Sequence, residues 1–375
     1  MAKAWDDNNY PYRREILIQS ANVDGNLTDF PLLVVVDGGD GVLSANIADD
    51  RYAFYDSAGS NLYHEQEFYW EGASYVEMTV WVKVPTVYAS PTGDQNKIWI
   101  YYGYDDGAQS DAANTWTEYV AVWHMDESSG HIADATGNGH NSTTEAGGIS
   151  YGAAGKIVTA VEWDGSGAYI DVADSADFDV AACTITAWIY PDSFGEGGYG
   201  RIVYHVDTAG NADGLELLLD TASDTLAFNT YNGAGGSEGD KSNASSIATG
   251  AWQHVAVDWD GSNSDFYVDG AAVGTPAHTI GTGTAAAVFE IGNRSTDHSR
   301  SFDGEIDELR FAAKSLGAAW VKFEHANINE ADNELTLGSE ETPSGGVSFS
   351  SLMRHLGTWN SAGYKELRIG PVTTA

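Results

Sequence analysis

Short runs in which apolar and polar residues alternate dominate this chain, and helix-period stripes are almost absent. Residues 12–18, 31–36, 51–56, 75–84 and 97–102 each read as a strand. In Thr79-Val80-Trp81-Val82-Lys83-Val84 a period of two sets Val80, Val82 and Val84 on one face. In the last run Ile98, Ile100 and Tyr102 oppose Trp99 and Tyr101. Turn formers separate the runs: Asp37-Gly38-Gly39-Asp40-Gly41, Ser57-Ala58-Gly59 and Pro91-Thr92-Gly93-Asp94. Together these describe a small β-sandwich of roughly 110 residues.

A break follows from Asp105 to Trp116, and a second strand-rich region runs from Tyr119 to about Leu337. Within it, Asp269-Gly270 joins Phe266-Tyr267-Val268 to Ala271-Ala272-Val273 and predicts a two-residue type I′ hairpin, since both turn positions need positive φ. One helix is expected near 315–326, capped by Ser315, with Leu316, Ala319, Trp320 and Phe323 on its packed face. Pro343-Ser344-Gly345-Gly346 reads as a linker. Beyond it, Phe349, Leu352, Leu356, Trp359, Tyr364, Leu367 and Ile369 are too many apolar groups for a floating tail. The segment 343–375 is therefore expected to pack on this chain or on a neighbouring subunit of an assembly. The expected class is all-β, with domains at 1–118 and 119–342 and a C-terminal extension at 343–375.

Charge narrows the partners. With 55 acidic and 17 basic residues the formal net charge is −38, which repels nucleic-acid phosphates and anionic membrane surfaces. No membrane insertion is expected, because no apolar stretch approaches a span. The one cysteine, Cys183, excludes an intrachain disulfide and opens the apolar run Cys183 to Ile189, where it reads as a core residue. Trp123, Trp163, Trp188, Trp252 and Trp259 also read as core. No apolar stretch follows the start Met1-Ala2-Lys3-Ala4-Trp5, so no secretory leader is expected. An extracellular-type protein without a leader points to a virus particle.

The second region resembles the laminin-G-like, concanavalin A-like jelly-roll domains of prokaryotic and viral surface proteins. Four segments carry the resemblance. The first is Val122-Trp123-His124-Met125-Asp126-Glu127 with Asp134-Ala135-Thr136-Gly137-Asn138-Gly139. The second is Val161-Glu162-Trp163-Asp164-Gly165 with Tyr169-Ile170-Asp171-Val172. The third is Trp252 to Val257 with Tyr267-Val268-Asp269-Gly270, and the fourth runs from Phe302 to Phe311. Residues 10–118 resemble a small β-domain of unknown function that often precedes such a domain. The carrying segments there include Phe30-Pro31-Leu32-Leu33-Val34, Trp81 to Pro85 and Ile98 to Gly103.

The resemblance implies a structural Ca²⁺ held by Asp134, Asn138 and Asp307. Calcium takes oxygen ligands, and a glycine-bent Asp/Asn loop supplies them, although Asp-x-x-Gly-Asn-Gly is also a good turn in its own right. The resemblance also draws attention to Glu305-Ile306-Asp307-Glu308, which is similar to the catalytic strand of laminarinase-type glycosidases. There three acids alternate so as to share one cleft. Here the third alternate position is Leu309, and strict alternation turns Glu308 to the opposite face. No enzyme activity is therefore expected. For a glycan, Tyr231 and Asn232 and the loop residues Asn293, Arg294 and Asp297 offer an aromatic surface and planar hydrogen-bonding groups; ordinary loops carry such residues too. The histidines show no zinc-like spacing.

Two functions remain. One is a non-catalytic structural or adhesive virion component, such as a capsid decoration or tail fibre, contacting neighbouring subunits, its own copies or cell-surface glycans. The other is a secreted or cell-surface carbohydrate-binding module or carbohydrate-active enzyme.

Overall fold

A computed structural model of the chain describes residues 5, 7, 9–37, 51–72, 75–104, 110–207, 212–233, 235–329 and 334–343. The glycine turn at 38–41, positions 105–109 of the break and the extension beyond residue 343 lie outside them. The first region supplies β1 (Tyr12–Ile18), β2 (Leu27–Val36), β3 (Tyr52–Asp56), β4 (Asn61–Leu62), β5 (His64–Glu71), β6 (Val76–Val87) and β7 (Lys97–Tyr102), then a short helix α1 (Ala112–Thr115). The second begins with β8 (Ala121–Trp123), β9 (Ser142–Ala146), β10 (Ile149–Ala154), β11 (Thr159–Asp164), β12 (Tyr169–Val172) and β13 (Cys183–Pro191). It continues with β14 (Arg201–Asp207), β15 (Asp213–Asp220), β16 (Thr225–Asn232), β17 (Ser237–Lys241), β18 (Gln253–Trp259), β19 (Ser264–Val268) and β20 (Ala271–Gly274). β21 (Phe289–Ile291), β22 (Asp303–Ala312), helix α2 (Ala318–Asn329) and β23 (Leu335–Leu337) complete it.

The second region is a two-sheet sandwich. One sheet runs β10-β11-β22-β13-β18-β19-β20, with β8 added against β22, and the other runs β17-β16-β15-β14-β21-β12-β9. Their inner faces enclose Trp123, Trp163, Ile185, Leu217, Phe228, Trp259, Phe289 and Phe311. Cys183 is buried in that core, and burial pushes its thiol well above the ordinary range. Trp188 packs instead in the core shared with the first region, and Trp252 lies half-buried at that core's margin. Asp269 and Gly270 have φ of 49° and 70° between paired Val268 and Ala271, the geometry of the expected type I′ turn.

The first region has two small sheets, β2-β6-β5 and β23-β1-β7-β3-β4. Ile98, Ile100 and Tyr102 enter the main core, while Trp99 and Tyr101 join Tyr10 and Ala53 on the other face. Strand β2 starts earlier than its apolar run implies and includes Pro31; it is an edge strand, where a missing N–H is tolerated.

The two regions share one core. Phe30, Leu32 and Val34 of β2 pack with Trp188, Trp320 and Phe323, and the Phe30 ring lies 4.9 Å from Trp320 and 5.1 Å from Phe323. Helix α2 begins at Ala318, past the expected Ser315 cap, whose hydroxyl donates to Asp258 instead; Ala319, Trp320 and Phe323 pack as expected, and Leu316 packs beside them ahead of the helix. Asn327 of α2 covers the open edge of β2. Its Oδ1 accepts from Leu33 N at 2.7 Å and its Nδ2 donates to Leu33 O at 3.1 Å, which satisfies an otherwise unpaired peptide. After α2 the chain returns to the first region, where β23 pairs with β1.

Candidate functional site

Two groups of polar side chains stand out. The first covers the outer face of the β17–β9 sheet. Cross-strand register lines up Asp171, Glu290, Tyr204, Glu216 and Asn229 in one transverse row. Glu216, almost fully buried, is the hub. Its Oε1 accepts from Tyr231 Oη at 2.9 Å and Asn229 Nδ2 at 2.7 Å, and its Oε2 accepts from Arg201 Nε at 2.8 Å. Arg201 also donates to the carbonyl of Tyr199 at 2.7 Å. Burial first, then the Glu216 charge, raises the Tyr204 phenol to about 12.

The loop after β21 borders this face. Asn293 is fully buried and shapes the loop: its Oδ1 accepts from Arg294 N and Arg300 N, and its Nδ2 donates to Ala168 O. Arg294 grips Asp297 through Nε at 3.1 Å and Nη2 at 2.6 Å, and those bonds hold the Asp297 carboxyl down at about 2. His298 stacks on Tyr169 with centroids 3.7 Å apart. The Arg300 guanidinium sits 5.6 Å over the Tyr199 ring, which is 38% exposed. Tyr231 and the Arg294 loop are thus joined through Glu216 and Arg201, whose backbone N–H donates to Arg300 O at 3.0 Å. Asn232 accepts from Gly236 N and shapes the β16–β17 turn.

The second group is buried where the first region meets the sandwich. β22 carries it, and here strict alternation fails. Ala187 of β13 faces both Glu308 and Leu309, a β-bulge in which Glu308 takes φ 51°. Leu309 points into the sandwich core, whereas Glu308 joins Asp307 and Arg310 toward the first region. The expected opposition of Glu308 to Asp307 is therefore overturned by one extra residue in the strand.

The Arg310 guanidinium is clamped between Trp81 and Trp116, at 4.4 and 4.9 Å. It binds Glu308 through Nη2 and lies 3.6 Å from Glu324. Glu324 in turn accepts from Thr186 Oγ1 at 2.7 Å and Tyr119 Oη at 2.9 Å. Burial raises the Glu324 carboxyl, but Arg310 and the hydrogen bonds outweigh it and hold the group at about 2. His124 Nδ1 lies 2.7 Å from Glu308 Oε1 and 3.8 Å from Glu67 Oε2, and its Nε2 lies 3.2 Å from Glu65 Oε2. Burial, then repulsion from Glu308, pushes the Glu67 carboxyl up to about 8. One ligand atom each from Glu67, His124 and Glu308 lies within 4.8 Å of the others, a set that could hold a metal.

Asp134, Asn138 and Asp307 are placed differently. The Asp134 oxygens already accept from Val122 N, Thr136 N, Thr136 Oγ1 and His140 N, and Asn138 Nδ2 donates to Val120 O. Asp307 Oδ2 accepts from the peptides of Lys156 and Ile157, inside the buried group. No hydrogen bond joins Asp307 to the other two among the described residues, and the Asp134 lone pairs are spoken for by protein donors. Among the described residues no helix is long and apolar enough to cross a membrane.

Comparison with known proteins places this fold. Residues 164–322 match the family described as the concanavalin A-like lectin/glucanases superfamily, a description that spans binding proteins and enzymes. No curated protein sequence matches the chain. Among solved structures, the binding domain of Paraclostridial mosquitocidal protein 1 aligns with TM-score 0.46 and 15% identity, over 56% of this chain and 52% of that one. Domain 4 of AbnA, an extracellular arabinanase from Geobacillus stearothermophilus solved with arabinotriose, aligns with TM-score 0.43 and 22% identity, over 55% and 97%. The binding domain of botulinum neurotoxin DC, solved with SialylT, aligns with TM-score 0.44 and 12% identity, over 56% and 51%. The match thus spans about half of the two toxin chains.

Proposed function

Since residues 164–322 form a concanavalin A-like domain, we propose that this protein is a non-catalytic carbohydrate-binding protein acting outside the cell, with the first region locked to the sandwich as a rigid support. The carrying observation is the outer sheet face. There Tyr231, Asn229 and Arg201 donate to Glu216 beside its cross-strand neighbour Tyr204, and Arg201 also reaches the carbonyl of Tyr199, whose half-exposed ring carries Arg300. Rings give sugars a stacking surface, and planar amide, carboxylate and guanidinium groups meet hydroxyls in pairs. In this reading Tyr231, Arg294 and Asp297 face the ligand, and Asn232 and Asn293 shape the turns that present them.

The acids of β22 do not serve catalysis in this reading. Glu308 is enclosed between His124 and Arg310 beneath the first region, so no sugar reaches it beside Glu305. The virion role draws on no feature of this fold, and the binding-module role is the better supported. A calcium ion at Asp134, Asn138 and Asp307 is a separate proposal, which requires Asp134 to give up donors it now holds.

The test is a carbohydrate array together with a reducing-end assay on β-glucans, galactans and alginate. Retention of at least one polysaccharide with no new reducing ends is expected. Release of product that Glu305→Gln abolishes would make the protein an enzyme, and retention of no carbohydrate would end the binding reading.

A further inference from the structure

We propose that Glu67, His124 and Glu308 bind a first-row divalent transition cation of the zinc type, which clamps the first region onto the sandwich. The site is separate from the sheet face and does not depend on the carbohydrate reading.

Two of the three ligands sit in irregular strand positions that re-aim them. Glu67 is the extra residue of a bulge in β5, between Gln66, which faces Val80, and Phe68, which faces Thr79. Glu308 is the left-handed residue of the bulge in β22. Bulges commonly redirect a side chain next to a functional site. Both point at His124, which follows β8.

The geometry fits a small cation. The Nδ1 separations of 2.7 Å to Glu308 Oε1 and 3.8 Å to Glu67 Oε2 bracket the edge of about 3.4 Å expected for a tetrahedron with bonds near 2.1 Å. The imidazole is oriented for the role. Nε2 lies 3.2 Å from Glu65 Oε2, and that same oxygen accepts from the Trp116 indole. A proton on Nε2 leaves Nδ1 as the ligand, the usual arrangement of a carboxylate behind a metal-bound histidine. Glu308 divides its oxygens, Oε2 to Arg310 and Oε1 toward the site.

The second observation is unmet demand. Glu67 Oε1 and Asp307 Oδ1 are buried and have no hydrogen-bond partner. The Glu67 side chain is 1% exposed and Asp307 is fully buried. Unpaired buried oxygens are costly, and a cation is one way to satisfy them. Glu67, His124 and Glu308 are three protein ligands, and the fourth tetrahedral position is left to a water. One imidazole with two carboxylates suits zinc better than calcium, which takes six to eight oxygens.

The test uses the full chain, stripped with chelator and dialysed against Zn²⁺. One tightly held equivalent is expected, with a higher melting temperature than the stripped protein, and Co²⁺ in its place should show visible d–d absorption. Glu67→Gln should abolish retention, while Asp134→Ala should keep it. Glu65→Gln, which leaves every ligand in place, should weaken retention about 10–100-fold, and this holds the test open if Glu67→Gln fails to fold. Absence of a tightly held equivalent in the wild-type chain overturns the proposal. So does retention unchanged in Glu65→Gln, or in folded Glu67→Gln.

Discussion

Replacing Glu290 by Gln should stabilise this protein, and more so as pH rises. Glu290 is fully buried on the outer sheet face, and neither of its oxygens has a hydrogen-bond partner. Its neighbours are Asp171 on β12, Tyr204 on β14, Asp297 in the adjoining loop and His298, whose Nε2 lies 3.4 Å away. Burial and then the Asp171 charge push its carboxyl up to about 9; a proton shared with Asp171 supplies the missing donor. The sign follows from proton binding. Between the ordinary range near 4.5 and about 9 the folded protein holds a proton that the unfolded chain has lost, so stability falls as pH rises through this window. At about 1.4 kcal/mol per pH unit, the loss is on the order of 3 kcal/mol at pH 7. Glutamine keeps the shape, carries no charge and can donate to Asp171. Scanning calorimetry at pH 5 and pH 8 should show the variant melting higher at pH 8, by roughly 5 °C or more, and much closer to wild type at pH 5. A variant that melts lower at pH 8, or a gap that does not change with pH, refutes the reasoning.

Other substitutions probe the junction and the loop. Arg310→Leu leaves Glu308 and Glu324 buried without their cation, and urea unfolding should show a loss of about 3–5 kcal/mol. Gly270→Val forces a β-branched residue to φ 70° beside His325, and should cost about 1–3 kcal/mol in the same assay. If calcium binds at Asp134, Asn138 and Asp307, millimolar calcium raises the melting temperature and Asp134→Ala removes the rise. Identical wild-type curves in calcium and in chelator exclude that site.

The strands that could be read in advance have clean alternation, such as β6 and β7, and the Asp269-Gly270 turn has a local cause. Strand β5 escaped because His64-Glu65-Gln66-Glu67-Phe68-Tyr69-Trp70-Glu71 is a half-exposed edge strand with little apolar rhythm. The bulge at Glu308 escaped because a period of two assumes an uninterrupted ladder, and nothing in Ile306-Asp307-Glu308-Leu309 marks the extra residue. The His124 group was hidden for a different reason. Glu67, His124 and Glu308 are far apart in sequence, so no motif spacing links them, and only the shared core of the two regions brings them together. Asn293 was visible as a planar loop amide, but its burial depends on Ala168 and Arg300, which no local pattern ties to it.

The central claim is that the outer sheet face binds carbohydrate through its exposed margin. The most direct measurement is the affinity for the polysaccharide best retained on the array, compared across Tyr199→Ala, Arg300→Ala and Trp70→Ala. Tyr199 and Arg300 border the sheet face, whereas Trp70 is an exposed aromatic at 44% on β5 of the first region. Loss of one stacking ring is worth about 0.5–1.5 kcal/mol beyond its buried area, so at least a several-fold weakening is expected for Tyr199→Ala. Arg300→Ala should weaken binding similarly, with Trp70→Ala unchanged. Binding that survives both sandwich substitutions and is lost with Trp70→Ala would contradict the account and move the site to the first region.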